Sequence, residues 1–304
     1  MDSIMSYSEF IWRIIEGLKG KMGDGYHFTA DVSLGNNGRV ENFLMIKDGG
    51  SPVAPRIPMV PFYSRCIQEG DKIPGLVDEI VDIYRKNECN GNFDAASFME
   101  WGRIQSNIRC CLRNKGMNTA MLPGVPHRDI LDLSLTYYAK LPLPDGGFGT
   151  VHVNNSHMDV WRVDEKELYR TAVHNMEETK DAVLENITDI TGHLLDAGGI
   201  GGLIDADRIA WMYVLGNKNR IYGAVQILNT GIMEEAADRL GDNFIILPSS
   251  VHEVILVPDV QDQELSYYKQ MVKEINETEL VPEEILSGHV YRYSRKKKGA
   301  GIAA

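Results

Sequence analysis

The stretch that decides the fold is NFIILPSSVHEVILVPD, residues 243–259, in which two apolar runs flank a short polar corner. The runs NFIILP and EVILVP have the length and aliphatic composition of buried strands. The second run is continuously apolar from Val254 to Val257, which predicts burial on both faces of a sheet. The corner Ser249–Glu253 is therefore either a simple chain reversal or polar chemistry at the end of a buried strand.

The rest of the C-terminal half continues this strand and helix pattern. Residues 131–141 and 148–155 read as a strand pair around a turn that contains Pro142. Apolar spacing and helix-start signals such as Asp164 with Glu167 predict four helices and two more strands. The predicted helices are 164–175, 178–195, 230–241 and 261–277, and the predicted strands are two within 211–229 around a polar turn.

The N-terminal part gives a helix, a hairpin and an interrupted helix. A helix at 6–19 starts at Ser6, with Glu9 completing a capping box. Asn37-Gly38 predicts a hairpin, because both residues tolerate positive φ. Prolines make 49–61 an extended loop, and 62–87 is helical with a break at 70–75. Residues 98–117 fit either one helix or a strand followed by a helix.

These elements predict an α+β fold with a largely antiparallel sheet, packed helices and a β-β-α-β-β-α order in the C-terminal half. The segment 121–129 has the composition of a linker. We therefore expect an N-terminal α/β lobe at 1–120, a C-terminal α+β lobe at 121–293 and a basic flexible tail at 294–304.

Composition narrows the class of protein. The 304 residues carry 31 basic and 43 acidic side chains and a formal charge of −12, which disfavours nucleic-acid binding, except for a weak contact by the basic tail. No apolar run is long enough to span a bilayer, no signal peptide is apparent, and the four cysteines lack a C-x-x-C pair. We expect a soluble, cytoplasmic protein with reduced thiols and no membrane association.

The candidate catalytic residues are Ser250, His252 and Glu253 in the polar corner. In a hydrolase His252 would act as the base, and Ser250 as the nucleophile or as a donor to the substrate. The alternative is that Ser249 and Ser250 satisfy turn amides and His252 closes the strand end. No G-x-S-x-G elbow accompanies the pair.

The candidate ligand-binding residues are Asn217, Arg220 and Ser249. The polar, basic turn 217–220 either grips an anion or only reverses the chain. The histidines lack H-x-x-x-H spacing, and no Gly-Lys-Ser/Thr follows the glycines of 197–202, so no metal, nucleotide loop or other cofactor is predicted.

Several segments together resemble an uncharacterised bacterial family, known only as a domain of unknown function and found mainly in anaerobic Gram-positive gut bacteria. They are DLSLTYYAKL, NNSHMDVWRVDEKELYRTAVHN, MYVLGNKNRIYGAVQIL, MEEAADRLGDNFIILPSSVHEVILVPD and EINETELVPEEILSGHVYRY. A fainter similarity connects the chain to another uncharacterised Firmicutes family. The resemblance is strongest over 121–293 and implies a compact bacterial domain, with no activity, ligand or site attached.

The sequence therefore favours a protein of unknown function that acts by binding a protein partner or a small ligand. One alternative is a hydrolase-type enzyme with its site near Ser250, His252 and Glu253. Another is a regulator or immunity-type protein of a mobile element. The oligomeric state does not follow from the sequence.

Overall fold

The computed structural model describes residues 5–48, 55–70, 72–87, 95–142, 147–191, 211–260 and 262–303. The chain divides into two compact units: unit 1 comprises 1–35, 39–99 and 141–149, and unit 2 comprises 36–38, 100–140 and 150–304. Helices pack on antiparallel sheets, so the predicted α+β class is confirmed. That the lobes 1–120 and 121–293 fold independently stays a prediction.

Unit 1 is built on a three-stranded antiparallel sheet in the order β1-β2-β3. The predicted helix, hairpin and interrupted helix are confirmed. The segment expected as an extended loop also contains β3 and the start of α2, because Ile57 and Met59 are drawn into the core. Its elements are α1 (Tyr7–Met22), β1 (Tyr26–Leu34), β2 (Val40–Asp48), β3 (Arg56–Pro58), α2 (Val60–Glu69), α3 (Ile73–Asn87) and α4 (Ala95–Met99).

The core of unit 1 forms where α1 and α3 pack together. The Ser6 hydroxyl accepts the amide of Glu9 at 3.2 Å and fixes the start of α1. Gly17 allows the close approach of the two helices, since a Cβ at this position would lie 2.7 Å from a methyl group of Val77. The apolar stripe predicted for α3 is buried in this core, and it consists of Leu76, Ile80, Val81 and Tyr84.

Unit 2 contains a six-stranded antiparallel sheet, β13-β12-β10-β11-β9-β8, and a four-stranded sheet in which β6 pairs with β4, β5 and β7. Its helices and strands, listed in chain order, alternate as predicted for the C-terminal half. They are α5 (Trp101–Ile104), β4 (Ile108–Asn114), β5 (His127–Ile130), β6 (Leu133–Pro142), β7 (Phe148–His152), α6 (Asn155–Trp161), α7 (Glu165–Glu178), β8 (Ala182–Asn186), α8 (Ile187–Thr191), β9 (Tyr213–Asn217), a 3-10 helix (Gly223–Leu228), α9 (Thr230–Leu240), β10 (Asn243–Pro248), β11 (Val254–Pro258), α10 (Asp262–Thr278), β12 (Tyr291–Ser294) and β13 (Gly299–Ile302).

The strands β10 and β11 lie in the middle of the six-stranded sheet and are buried on both faces, as the sequence predicts. Alternate side chains of the two strands point to opposite faces. Ile245, Leu247, Ile255 and Val257 pack against α10 in one core cluster. The other face carries Phe244, Ile246, Val254 and Leu256, all of them buried.

Four predicted segments differ from the structure. The helix predicted at 178–195 is wrong where β8 replaces it, and its end lies outside the described residues together with the glycines of 197–202. The second strand predicted within 211–229 is a 3-10 helix. In 98–117 short helices precede a strand, the reverse of the predicted order. Residues 299–302, assigned to the flexible tail, form β13, and Ala303 is buried beside it.

One aromatic group of unit 2 surrounds the end of α6. Trp161 is buried, with its ring 5.6 Å from that of Trp101 and stacked at 5.6 Å on His157. Burial lowers the pKa of His157. The α6 helix begins at Asn154, whose side chain accepts the amide of His157 while the His157 ring accepts the amide of Asn154. This reciprocal cap fixes the imidazole against the indole.

Candidate ligand-binding cleft

A cleft of about 280 Å³ lies on the part of the six-stranded sheet next to the edge strand β8. Its walls combine aliphatic and polar side chains from β8, α8, β9, β11 and the loops at their ends. The lining residues are Val183, Glu185, Ile187, Ile190, Val214, Gly216, Asn217, Arg220, Ser249, His252, Glu253 and Ile255.

The floor of the cleft follows from strand register. Glu185 lies opposite Val214, which lies opposite Ile255, and Val183 lies opposite Gly216. Residues paired in this way point to the same face of the sheet. It is the face that α10 covers at β10 and β11, and Ile255 belongs to both the α10 core and the cleft. The cleft is therefore the continuation of that apolar face beyond α10.

The loop 217–222 forms one wall in a constrained conformation. The Asn217 side chain donates to the Ile221 carbonyl at 2.8 Å and accepts the Ile221 amide at 3.2 Å. Within this clamp Arg220 and Tyr222 have φ values of 53° and 54°. Left-handed conformations of non-glycine residues carry strain of about 1–3 kcal/mol and cluster at functional sites. The loop thus holds Arg220 at the cleft by means of hydrogen bonds that the Asn217 side chain provides.

Three polar groups at the cleft have no hydrogen-bond or ion-pair partner among the residues that the structure describes. They are the Arg220 guanidinium, the Glu253 carboxylate and the Ser249 hydroxyl. Arg220 is exposed, whereas Ser249 and Glu253 are partly buried. A partly buried carboxylate without a partner loses hydration and gains nothing from the protein in return. These groups are therefore available to a ligand.

The predicted catalytic residues do not come together as a hydrolase requires. The Ser250 hydroxyl is buried and accepts the backbone amide of His252 at 3.0 Å, rather than contacting the imidazole. The Ser250 amide donates to the Glu253 carbonyl at 3.1 Å and closes the turn. Glu253 and His252 line the cleft, and Ser250 does not. Ser250 has the turn role that the sequence offered as the alternative.

His252 itself is held by its neighbours. Its Nδ1 accepts the Tyr222 amide at 3.2 Å, its Nε2 lies 3.7 Å from a carboxylate oxygen of Glu284, and its ring stacks on Tyr222 with centroids 5.9 Å apart. An imidazole that already accepts at Nδ1 presents Nε2–H to Glu284 when neutral. In this tautomer it cannot take a proton from a serine.

A buried arginine supports the loop from behind, and the sequence analysis missed it. Arg113 donates from Nε to the Thr136 hydroxyl at 3.0 Å, and its guanidinium lies 5.6 Å from the centre of the Tyr222 ring. Burial by itself would lower the pKa of Arg113, but nearby Cys111 and Tyr222 outweigh burial and raise the pKa. The alternating Arg109, Cys111 and Arg113 of β4 could have indicated a polar sheet face.

A second polar cluster contains Asp, His and Ser without the geometry of a catalytic triad. Asp132 accepts the Ser287 hydroxyl at 2.7 Å, the Tyr291 hydroxyl at 2.8 Å and a contact from His289 Nδ1 at 2.9 Å. Burial would raise the pKa of Asp132, but these hydrogen bonds outweigh burial and lower the pKa. Ser287 is fully buried and bonded to the carboxylate, not to the imidazole. The cluster therefore fastens the β5–β6 turn to the chain before β12.

Two classes of feature were searched for in the described part of the chain. No three His, Cys, Asp or Glu side chains there converge in a way that could hold a metal ion. Likewise, none of the helices described in the structure combines the length and the hydrophobicity that crossing a bilayer requires.

Comparison with known proteins places the chain in a family. A model described as a family of unknown function, DUF5688, matches residues 7–295. The chain belongs to this family. The resemblance to a family of unknown function is thereby confirmed, and the DUF5688 match includes every residue that lines the cleft. No curated protein and no solved structure matches the chain. Since the DUF5688 family carries no activity, function is argued from the cleft alone.

Proposed function

We propose that this protein binds a small ligand in the cleft beside β8. The observation that carries the proposal is the presence of Arg220, Glu253 and Ser249, all without partners in the described structure, around an aliphatic floor. Small-molecule sites combine a mostly apolar lining with a few placed polar groups in this way. The volume of about 280 Å³ lies just below the range of drug-sized ligands, which favours a smaller molecule.

The constrained loop supports the same proposal. Asn217 clamps Ile221, and Tyr222 is packed between the Arg113 guanidinium and the His252 ring. Such support keeps Arg220 in a strained conformation before any ligand arrives. Pre-organisation of this kind reduces the conformational entropy lost on binding. A loop that only reversed the chain would need no strained arginine at a cleft.

The cytoplasm is the proposed compartment. Cys66, Cys110 and Cys111 are free and buried, and burial raises the pKa of the Cys110 thiol above its ordinary range. Thiols that remain unpaired support a reducing compartment, because disulfides form in oxidising ones. A protein partner, the other binding partner expected from the sequence, has no comparable feature in its support among the described residues.

A fragment screen with a cleft-filling variant tests the proposal. A Cβ at Gly216 would lie 3.5 Å from the Glu253 Cβ and 3.5 Å from the His252 carbonyl oxygen, which are ordinary contacts. Gly216→Val should therefore fold and place its methyl groups in the cleft. We expect fluorinated fragments detected by fluorine NMR to bind the wild-type protein and to lose at least about tenfold in affinity in the variant.

The matched control is Gly288→Ala, an exposed position where a Cβ would meet no other atom within 4 Å. This variant should bind the same fragments as the wild type. Thermal unfolding of both variants checks that they are folded. Fragments that bind Gly216→Val and the wild-type protein equally well would contradict a ligand site in the cleft.

A further inference from the structure

The charges at the cleft select among classes of small ligand. Glu185 and Glu253 contribute two carboxylates, and Arg220 contributes one guanidinium. A purely anionic ligand would face both carboxylates, and a purely cationic ligand would leave Arg220 without a counter-ion. Opposite charges on one small molecule avoid both penalties, because leaving a desolvated charge unpaired is unfavourable.

The uncharged part of the lining selects the rest of the ligand. Val183, Val214 and Ile255 form a continuous aliphatic floor, and Ile187 and Ile190 of α8 extend it. The Ser249 hydroxyl adds one group that can both donate and accept. A floor of branched aliphatic side chains favours an aliphatic group of similar size by hydrophobic contact. The cleft thus joins a dipolar end to an apolar surface.

We propose that the cleft binds an apolar α-amino acid as its zwitterion. The ligand's ammonium faces Glu253, its carboxylate faces Arg220, and its aliphatic side chain lies on Val214 and Ile255. This inference rests on the proposed function, since it names the ligand class of the same cleft. It requires no new pocket and no movement of the loop 217–222.

Isothermal titration with three related probes tests the assignment. L-leucine carries all three features, L-leucinamide lacks the carboxylate, and 4-methylpentanoate lacks the ammonium. We expect L-leucine to bind at least about tenfold more tightly than either analogue, because each analogue leaves one charged side chain unpaired.

Two charge-removing variants assign the ends of the ligand. Arg220→Gln should weaken L-leucine by about tenfold or more and leave L-leucinamide unchanged. Glu253→Gln should weaken L-leucine similarly and leave 4-methylpentanoate unchanged. Lys218→Gln, at an exposed position of the same loop that does not line the cleft, is the matched control and should bind L-leucine as the wild type does.

The outcomes separate this inference from the proposal on which it rests. If no L-leucine binding is detected up to about 10 mM while fragments still bind in a way that Gly216→Val abolishes, the amino-acid assignment is overturned and the cleft remains a ligand site. Equal affinities for L-leucine and either analogue overturn the assignment too. If L-leucine binds Gly216→Val as well as the wild type, both the assignment and the proposed site are wrong.

Discussion

At the scale of single residues, hydrogen-bond partners decide which polar side chains are structural and which are available. Ser250 and His252 looked equally suited to chemistry in the sequence, yet both are occupied by backbone amides. Arg220 and Glu253 looked no more special than other polar side chains and are the ones without partners in the described residues. Sequence located the corner and the turn, but partner atoms depend on loops that meet only in the folded chain.

Asp132 gives a prediction at this scale. Asp132→Asn keeps the size of the side chain but removes the charge that three donors share, so we expect the free energy of unfolding to fall by about 1.5–3 kcal/mol at neutral pH. Because folding lowers the pKa of Asp132, this contribution is present above the ordinary carboxyl pKa of about 4 and is lost as the pH falls through the lower folded value.

Urea unfolding measured from pH 7 to about 3 checks this expectation. The stability difference between wild type and variant should shrink as the pH falls. Asp159→Asn, at an exposed position of α6, is the control and should change stability by no more than about 0.5 kcal/mol. A difference that is constant with pH would contradict the role of the charge.

At the scale of elements, sequence periodicity succeeded where one partner surface dominates. The α7, α9 and α10 helices, the β1–β2 hairpin and the β10–β11 pair all lie where they were predicted. The failures are segments whose apolar residues fit two periods. Residues 182–186 fit a helical stripe and also a strand, and the pairing of β8 with β9 decides between them. That pairing joins residues far apart in the chain and is invisible to a local pattern.

The 3-10 helix that replaced a predicted strand depends on Gly223. A Cβ there would lie 2.5 Å from the His252 carbonyl oxygen and 2.7 Å from the Asn217 amide nitrogen, both of them backbone atoms. Gly223→Ala should therefore force the backbone apart and lower the free energy of unfolding by about 1–3 kcal/mol, measured in urea. Gly288→Ala should leave the free energy of unfolding unchanged within about 0.5 kcal/mol. Equal stability of Gly223→Ala and wild type would show that this close approach is absent.

At the scale of the whole molecule, the end of the chain is part of a sheet rather than a tail. β13 pairs with β12 along residues 299–302, and the Ala303 amide donates to the Val290 carbonyl at 2.8 Å. The lysines 296–298 lie in the turn between the two strands. Composition indicated a frayed basic terminus, because four small or apolar residues after a lysine run give little local signal for a strand. That these lysines contact RNA weakly stays a prediction.

Removing residues 299–304 separates the two descriptions of the terminus. We expect the deletion to lower the free energy of unfolding by about 1–3 kcal/mol, because it exposes the outer edge of β12 and removes buried Ala303. Replacing Lys296, Lys297 and Lys298 with serine keeps β13 and should change stability by much less. An unchanged urea midpoint after the deletion would support a free tail.

The stack of Trp161 on Trp101 and His157 makes unit 2 visible to light without any label. Trp161 is buried, so its emission lies at shorter wavelength than that of the exposed Trp12 in unit 1. Two indole rings 5.6 Å apart also couple their transitions and give a near-ultraviolet circular dichroism signal. Loss of this optical signature follows the opening of unit 2 alone, while the emission of Trp12 comes from the other unit.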